Sequence, residues 1–146
     1  MSFSTSVLVC GVMCSLVGVV AFSTGHSRGE DKKAPPRVYE LRTYTTEPGR
    51  LPALHARFRD HTMKLFEKHG MQNVMYWVPT DEKLKDNTLI YVVSHASPEA
   101  AVKSWEAFIN DPEWKKAREA SEADGKIVAN VERQYMTLTD YSPGRK

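Results

Sequence analysis

The sequence predicts an α+β fold, a split β-α-β-β-α-β arrangement with a four-stranded antiparallel sheet. Three observations carry that expectation. Strand-like and helix-like segments alternate in that order, turn residues punctuate them, and residues 88–96 (TLIYVVSHA) carry apolar side chains on both parities, as a strand covered on both faces does.

Residues 38–44 (VYELRTY) alternate Tyr39, Leu41 and Thr43 against Val38, Glu40, Arg42 and Tyr44, and their β-branched and aromatic content suits a strand that ends at Glu47-Pro48-Gly49. Over 51–69, Leu51, Leu54, Phe58, Leu65 and Phe66 recur at helical spacing between charges. Gly70 is placed to stop that helix in a left-handed conformation. Residues 71–78 (MQNVMYWV) form the second strand, followed by a polar loop to Asn87 and the third strand at 88–96.

Ser97-Pro98-Glu99 supplies an N-cap, a proline at the first helical position and an acid in the first turn. The helix that follows runs to about residue 110 and buries Ala101, Trp105, Phe108 and Ile109. Asp111-Pro112-Glu113 repeats the pattern and opens a short extra helix carrying Trp114 to about Ser121. Asp124-Gly125 turns the chain into a last strand over 127–139.

The organisation outside this unit is set by composition. The chain has 146 residues, 41% hydrophobic and 26% charged, which suits one domain. Twenty Lys+Arg against 18 Asp+Glu give a net charge of +2, too balanced for phosphate-driven association, so no nucleic-acid partner is expected. Residues 1–24 hold no charged side chain, and 7–22 (VLVCGVMCSLVGVVAF) form an apolar run of signal-peptide character. Ala21 and Ser23 mark cleavage after Ser23. The expectation is export, periplasmic or secreted. Were the segment retained as an anchor, Arg28, Lys32 and Lys33 would hold the globular part toward the cytoplasm; a membrane partner is expected only in that case. Cys10 and Cys14 both lie in the run, so its removal leaves no cysteine for disulfide, zinc or nucleophile. Residues 24–36 read as a disordered linker, 37–139 as the folded domain and 140–146 as a flexible tail.

Right-handed crossovers place both helices on one face of the sheet and leave the other bare. The first and third strands are central in this order, and the third presents Ile90 and Val92 away from Leu89, Tyr91 and Val93. A hydrophobic patch of that kind is hidden most simply by a second copy, so the chain is expected to form a homodimer.

Tyr39-Glu40-Leu41-Arg42-Thr43-Tyr44-Thr45, the helix-opening Pro48-Gly49, Glu67-Lys68-His69-Gly70 and Asn110-Asp111-Pro112-Glu113-Trp114 resemble the NIPSNAP family in order and spacing over about residues 38–139. The resemblance implies a dimeric α/β barrel in which two ferredoxin-like sheets pack face to face. It implies no set of catalytic residues.

Chemistry is sparse. His55, His61 and His69 share a helix, but none has a histidine four residues away, so no helical metal pair exists. His55 is read as a surface residue and His69 as a cation at the negative end of the helix dipole. His61 falls beside the Phe58–Leu65 stripe, and His95 shares parity with Leu89, Tyr91 and Val93, so both are candidates to reach a pocket. Glu40, Arg42 and Tyr44 share one strand face. They read either as a polar cluster orienting an acidic or carbonyl ligand, or as an ion pair fixing dimer register with a partner sheet opposite. Tyr76, Trp77, Trp105 and Trp114 could line an apolar pocket, with core packing the simpler role for Trp105.

The candidate pocket residues are therefore Arg42, Tyr44, His61, Trp77 and His95. No G-x-G-x-x-G, G-x-x-x-x-G-K, H-E-x-x-H or G-x-S-x-G motif occurs, and neither metal nor cofactor is expected. Two functions remain: a non-catalytic dimer binding a small apolar or amphipathic molecule or a protein, and a small cofactor-independent or haem-degrading monooxygenase-type enzyme. A sheet–helix pocket onto which two of Arg42, Tyr44, His61 and His95 converge would favour the enzyme.

Overall fold

A computed structural model of the chain describes residues 37–143. The expected leader (1–23) and linker (24–36) and the last three tail residues lie outside the described residues. Strand β1 (Val38–Thr46) is followed by helix α1 (Leu51–Arg57), a π-helical turn (Phe58–Thr62) and helix α2 (Met63–Lys68). Next come β2 (Gln72–Trp77), β3 (Thr88–His95), α3 (Pro98–Asn110), α4 (Pro112–Ser121) and β4 (Val128–Met136). The sheet order is β2-β3-β1-β4 with every neighbour antiparallel, so β1 and β3 are central as the sequence predicts. This is the split βαβ topology with α4 added.

Local chemistry sets the boundaries. The Ser97 hydroxyl accepts from the Ala100 N–H at 3.1 Å, and an Asp111 carboxylate oxygen accepts from the Glu113 N–H at 2.7 Å, capping α3 and α4. Gly70 closes α2 at φ +79°, where a side chain would be strained. The 51–69 segment departs from the expected regular helix at its centre. The Met63 N–H donates to the Phe58 carbonyl five residues back, and the Thr62 hydroxyl donates to the Arg57 carbonyl at 3.1 Å. Along the wider turn Thr62 is buried and His61 faces solvent.

The inner face of the sheet meets the helices. Leu54, Phe66, Met71, Tyr91, Val93 and Ile127 are fully buried there, and each such side chain contributes about 1.5–3 kcal/mol on burial. Tyr91 sits at the centre, edge-on to Phe58 with ring centroids 5.2 Å apart and stacked on Tyr76 at 5.4 Å. Arg50 makes a two-pronged contact with Asp124 at 2.7 and 2.6 Å, tying the start of α1 to the turn before β4.

The opposite face carries Leu41 on β1, Ile90 and Val92 on β3, and Met75 and Trp77 on β2, which pair with Val92 and Ile90. Met75 is 51% and Trp77 48% exposed. No helix among the described residues is long and apolar enough to cross a membrane.

Candidate functional site

Strand alternation sends Glu40, Arg42 and Tyr44 to the helix side, with Tyr39, Leu41 and Thr43 on the bare side. The register-pair reading, which set a partner sheet opposite Glu40 and Arg42, is corrected by this geometry: what lies opposite them is α3. The Glu40 carboxylate is fully buried and gathers three donors. Arg42 Nε approaches Oε1 at 2.8 Å, while Trp105 Nε1 at 2.5 Å and His95 Nε2 at 3.0 Å meet Oε2. The Arg42 guanidinium also lies 3.6 Å from the centroid of the Trp105 ring, and its Nη1 donates to the Tyr44 hydroxyl at 3.3 Å.

The electrostatics of this cluster are self-contained. Burial alone would push the Glu40 carboxyl up, but His95, Arg42 and Trp105 outweigh it and hold it below the ordinary carboxylate range. Arg42 is held above its ordinary value: burial opposes its charge, and Tyr91, Tyr44 and Glu40 favour it. His95 is wholly buried, with Nδ1 lacking a partner among the described residues, so its ring supports the carboxylate and does not face an open site. Burial also drives the Tyr91 phenol well above its ordinary value, and that hydroxyl has no hydrogen-bond partner among the described residues.

Two clefts flank Phe58. The first, about 210 Å³, is lined by His55, Arg59, Met63, Tyr76, Trp77 and Leu89 among others. Burial, with Arg59 nearby, lowers the affinity of His55 for a proton. The second, about 270 Å³, opens over β4, where Val131 pairs with Tyr44 and is not covered by a helix. Tyr44, Val128 and Val131 form its sheet side; Phe58, Thr62, Phe66, Phe108 and Trp114 form its helix side. Phe108 and Trp114 pack with ring centroids 4.5 Å apart.

Arg57 also lines this cleft, with its side chain only 4% exposed. Its Nη1 donates to Glu122 Oε1 at 3.0 Å and to the Ser121 hydroxyl at 3.3 Å, and its guanidinium lies 5.4 Å from the Trp114 centroid. The Arg57 Nε is buried and has no partner among the described residues.

The five sequence candidates therefore separate. Arg42 and His95 belong to the sealed Glu40 cluster, Tyr44 reaches the second cleft, Trp77 the first, and His61 is exposed and lines neither. His69 sits at the end of α2 as expected, where its Nε2 lies 2.6 Å from Asp111 Oδ2, an oxygen that Lys68 Nζ also meets at 2.9 Å. Sequence reasoning missed Arg57, Phe66 and Phe108 as cleft residues and Glu40 as the hub. An arginine three residues after Leu54 and next to Phe58, on the apolar stripe, was the available sign of the first. Among the described residues no group of three or more His, Cys, Asp or Glu side chains is placed to hold a metal ion.

Comparisons agree with this geometry. A NIPSNAP protein from Agrobacterium tumefaciens, of unknown function, superposes with TM-score 0.62 at 21% identity, over 74% of this chain and 93% of that one. A NIPSNAP-like domain protein from Burkholderia xenovorans gives 0.63 at 13% identity, over 73% and 89%. SnoaB, a cofactor-independent oxygenase from Streptomyces nogalater, gives 0.50 at 15% identity, over 74% and 98%. At these identities the likeness is one of fold, and it confirms the ferredoxin-like α+β class. Nothing matches among curated protein sequences. The NIPSNAP family profile matches residues 39–143, well over half of the sequence, and the chain belongs to the NIPSNAP family.

Proposed function

We propose that the protein is an exported, non-catalytic homodimer that holds a small apolar or amphipathic molecule in the second cleft. The observation that carries this reading is the separation of the cleft from the buried Glu40, Arg42 and His95 cluster. Aromatic rings and the charged Arg57, Arg118, Glu122 and Lys126 line the cavity, while of Arg42, Tyr44, His61 and His95 only Tyr44 does. Small-molecule sites have this character, mostly apolar with a few polar groups, and an acid–base enzyme needs its proton-transfer groups within reach of the ligand. The bare sheet face, with Ile90, Val92, Met75 and Trp77, supports two-fold association.

Native mass spectrometry of the exported protein tests all three parts. The expected species lacks residues 1–23, has twice the processed subunit mass and carries a retained small molecule; Ile90→Glu should halve that mass. A single subunit with an empty cleft would overturn the proposal.

The fold likeness to SnoaB supports a second reading, a small oxygenase. Its haem-degrading version does not fit the residues of the second cleft. An axial imidazole would have to reach the second cleft, and no histidine lines it. Haem titration should leave the Soret band unchanged.

A further inference from the structure

The charge around the second cleft narrows what it can hold, and this step rests on the binding role proposed above. Three cations, Arg57, Arg118 and Lys126, line it against one anion, Glu122. Both carboxylate oxygens of Glu122 are already engaged, Oε1 by Arg57 at 3.0 Å and Oε2 by Arg118 Nε at 3.2 Å. Burial would raise the Glu122 carboxyl, but Arg57 and Arg118 hold it below the ordinary range, so it stays ionised. Lys126 is exposed and has no ion-pair or hydrogen-bond partner among the described residues, and Arg118 is 63% exposed with only its Nε engaged. The cleft thus keeps a positive excess whose unspent donors sit on its exposed side.

Its interior selects shape. Trp114 and Phe108 line it together with Tyr44 and Val131 of the sheet, a setting in which a flat ring finds aromatic contact. At about 270 Å³ the space is just under the 300 Å³ or so at which drug-sized ligands begin to fit, which matches one or two rings.

We infer that the second cleft takes a planar aromatic molecule of one or two rings bearing a single anionic group, with the rings between Trp114 and Val131 and the charge toward Arg118 and Lys126. The anion meets cations that are partly hydrated, so the gain over a neutral ring of the same shape is modest.

The test titrates the full chain with 2-naphthoate and with 2-naphthalenemethanol, the same ring system charged and uncharged, by calorimetry. The acid should bind at least fivefold more tightly. Arg118→Gln with Lys126→Gln should abolish that difference by weakening the acid; near-ultraviolet circular dichroism checks the fold. Val131→Trp, which fills the cleft, should abolish binding of both. Equal affinity of acid and alcohol in the parent chain overturns the anion preference while leaving the cleft as a binding site. Failure of both ligands to bind overturns the cleft itself. A preference that survives the double variant, or binding that survives Val131→Trp, places the anion site elsewhere and also overturns the inference.

Discussion

Trp105 donates its indole N–H to Oε2 of Glu40 at 2.5 Å, joining α3 to the central strand at a carboxylate with no solvent exposure. A charge taken out of water is tolerated only when paired and hydrogen-bonded, and Arg42 and His95 complete that requirement. Removing the acceptor alone leaves three buried donors unanswered. Glu40→Leu is expected to destabilise the fold by about 3–5 kcal/mol in urea denaturation, and a loss below about 1 kcal/mol would show that the donors find other partners.

Carboxylates held below their ordinary values, Glu40 and Asp111 among them, make stability depend on acid. Glu40 is held below its ordinary value of 4.5 by His95, Arg42 and Trp105 against the effect of burial, and Asp111 is held below 3.8 by Lys68 and then His69. Each folded-state value is depressed, so the unfolded chain binds protons first as pH falls. The contribution is complete above the ordinary values and is lost as pH drops toward the folded ones. The urea midpoint should therefore fall steeply below about pH 5. Asp111→Asn should lower stability at neutral pH and flatten the acid limb; an acid limb as steep as the parent's would show that Asp111 plays no part in the acid dependence.

Much of this arrangement was legible in the sequence, and the failures have physical causes. The β-α-β-β-α-β order placed β3 at the centre, the apolar residues on both its parities marked both its faces as covered, and Ser97 and Asp111 marked the helix starts because caps are local chemistry. The orientation of β1 was harder, because its more polar parity, Glu40 and Arg42, points inward. Alternation reports which residues share a face, not which face is covered, and the deciding donor, Trp105, lies 65 residues away. His61 was misplaced for a different reason. Projection at a constant helical angle assumes an unbroken ladder, and the π turn shifts the phase between Phe58 and Thr62.

The π turn itself depends on a side chain. Thr62 is 1% exposed, and its hydroxyl satisfies the Arg57 carbonyl at 3.1 Å. Thr62→Val keeps the shape and removes the donor, so it should cost about 1 kcal/mol. Hydrogen exchange should quicken at amides around residues 57–63, where the ladder is widened. Unchanged stability and exchange would mean that packing of Phe58 and Phe66 holds the turn without the hydroxyl.

Arg57 offers a test of how the cleft is braced. Its guanidinium is almost fully buried and pairs with Glu122, whose side chain is 20% exposed and also meets Arg118. Arg57→Met removes the buried cation while filling similar volume, and Glu122 keeps Arg118 as a partner, so the loss should be about 1–3 kcal/mol, less than for an acceptor with no second partner. Adding Glu122→Gln to Arg57→Met should cost less than Glu122→Gln costs alone, because the ion pair has already gone. The expected coupling in the double-mutant cycle is about 0.5–3 kcal/mol. Strict additivity would show that Arg57 holds α1 to α4 through its contacts with Trp114 and Ser121 and not through the charge of Glu122.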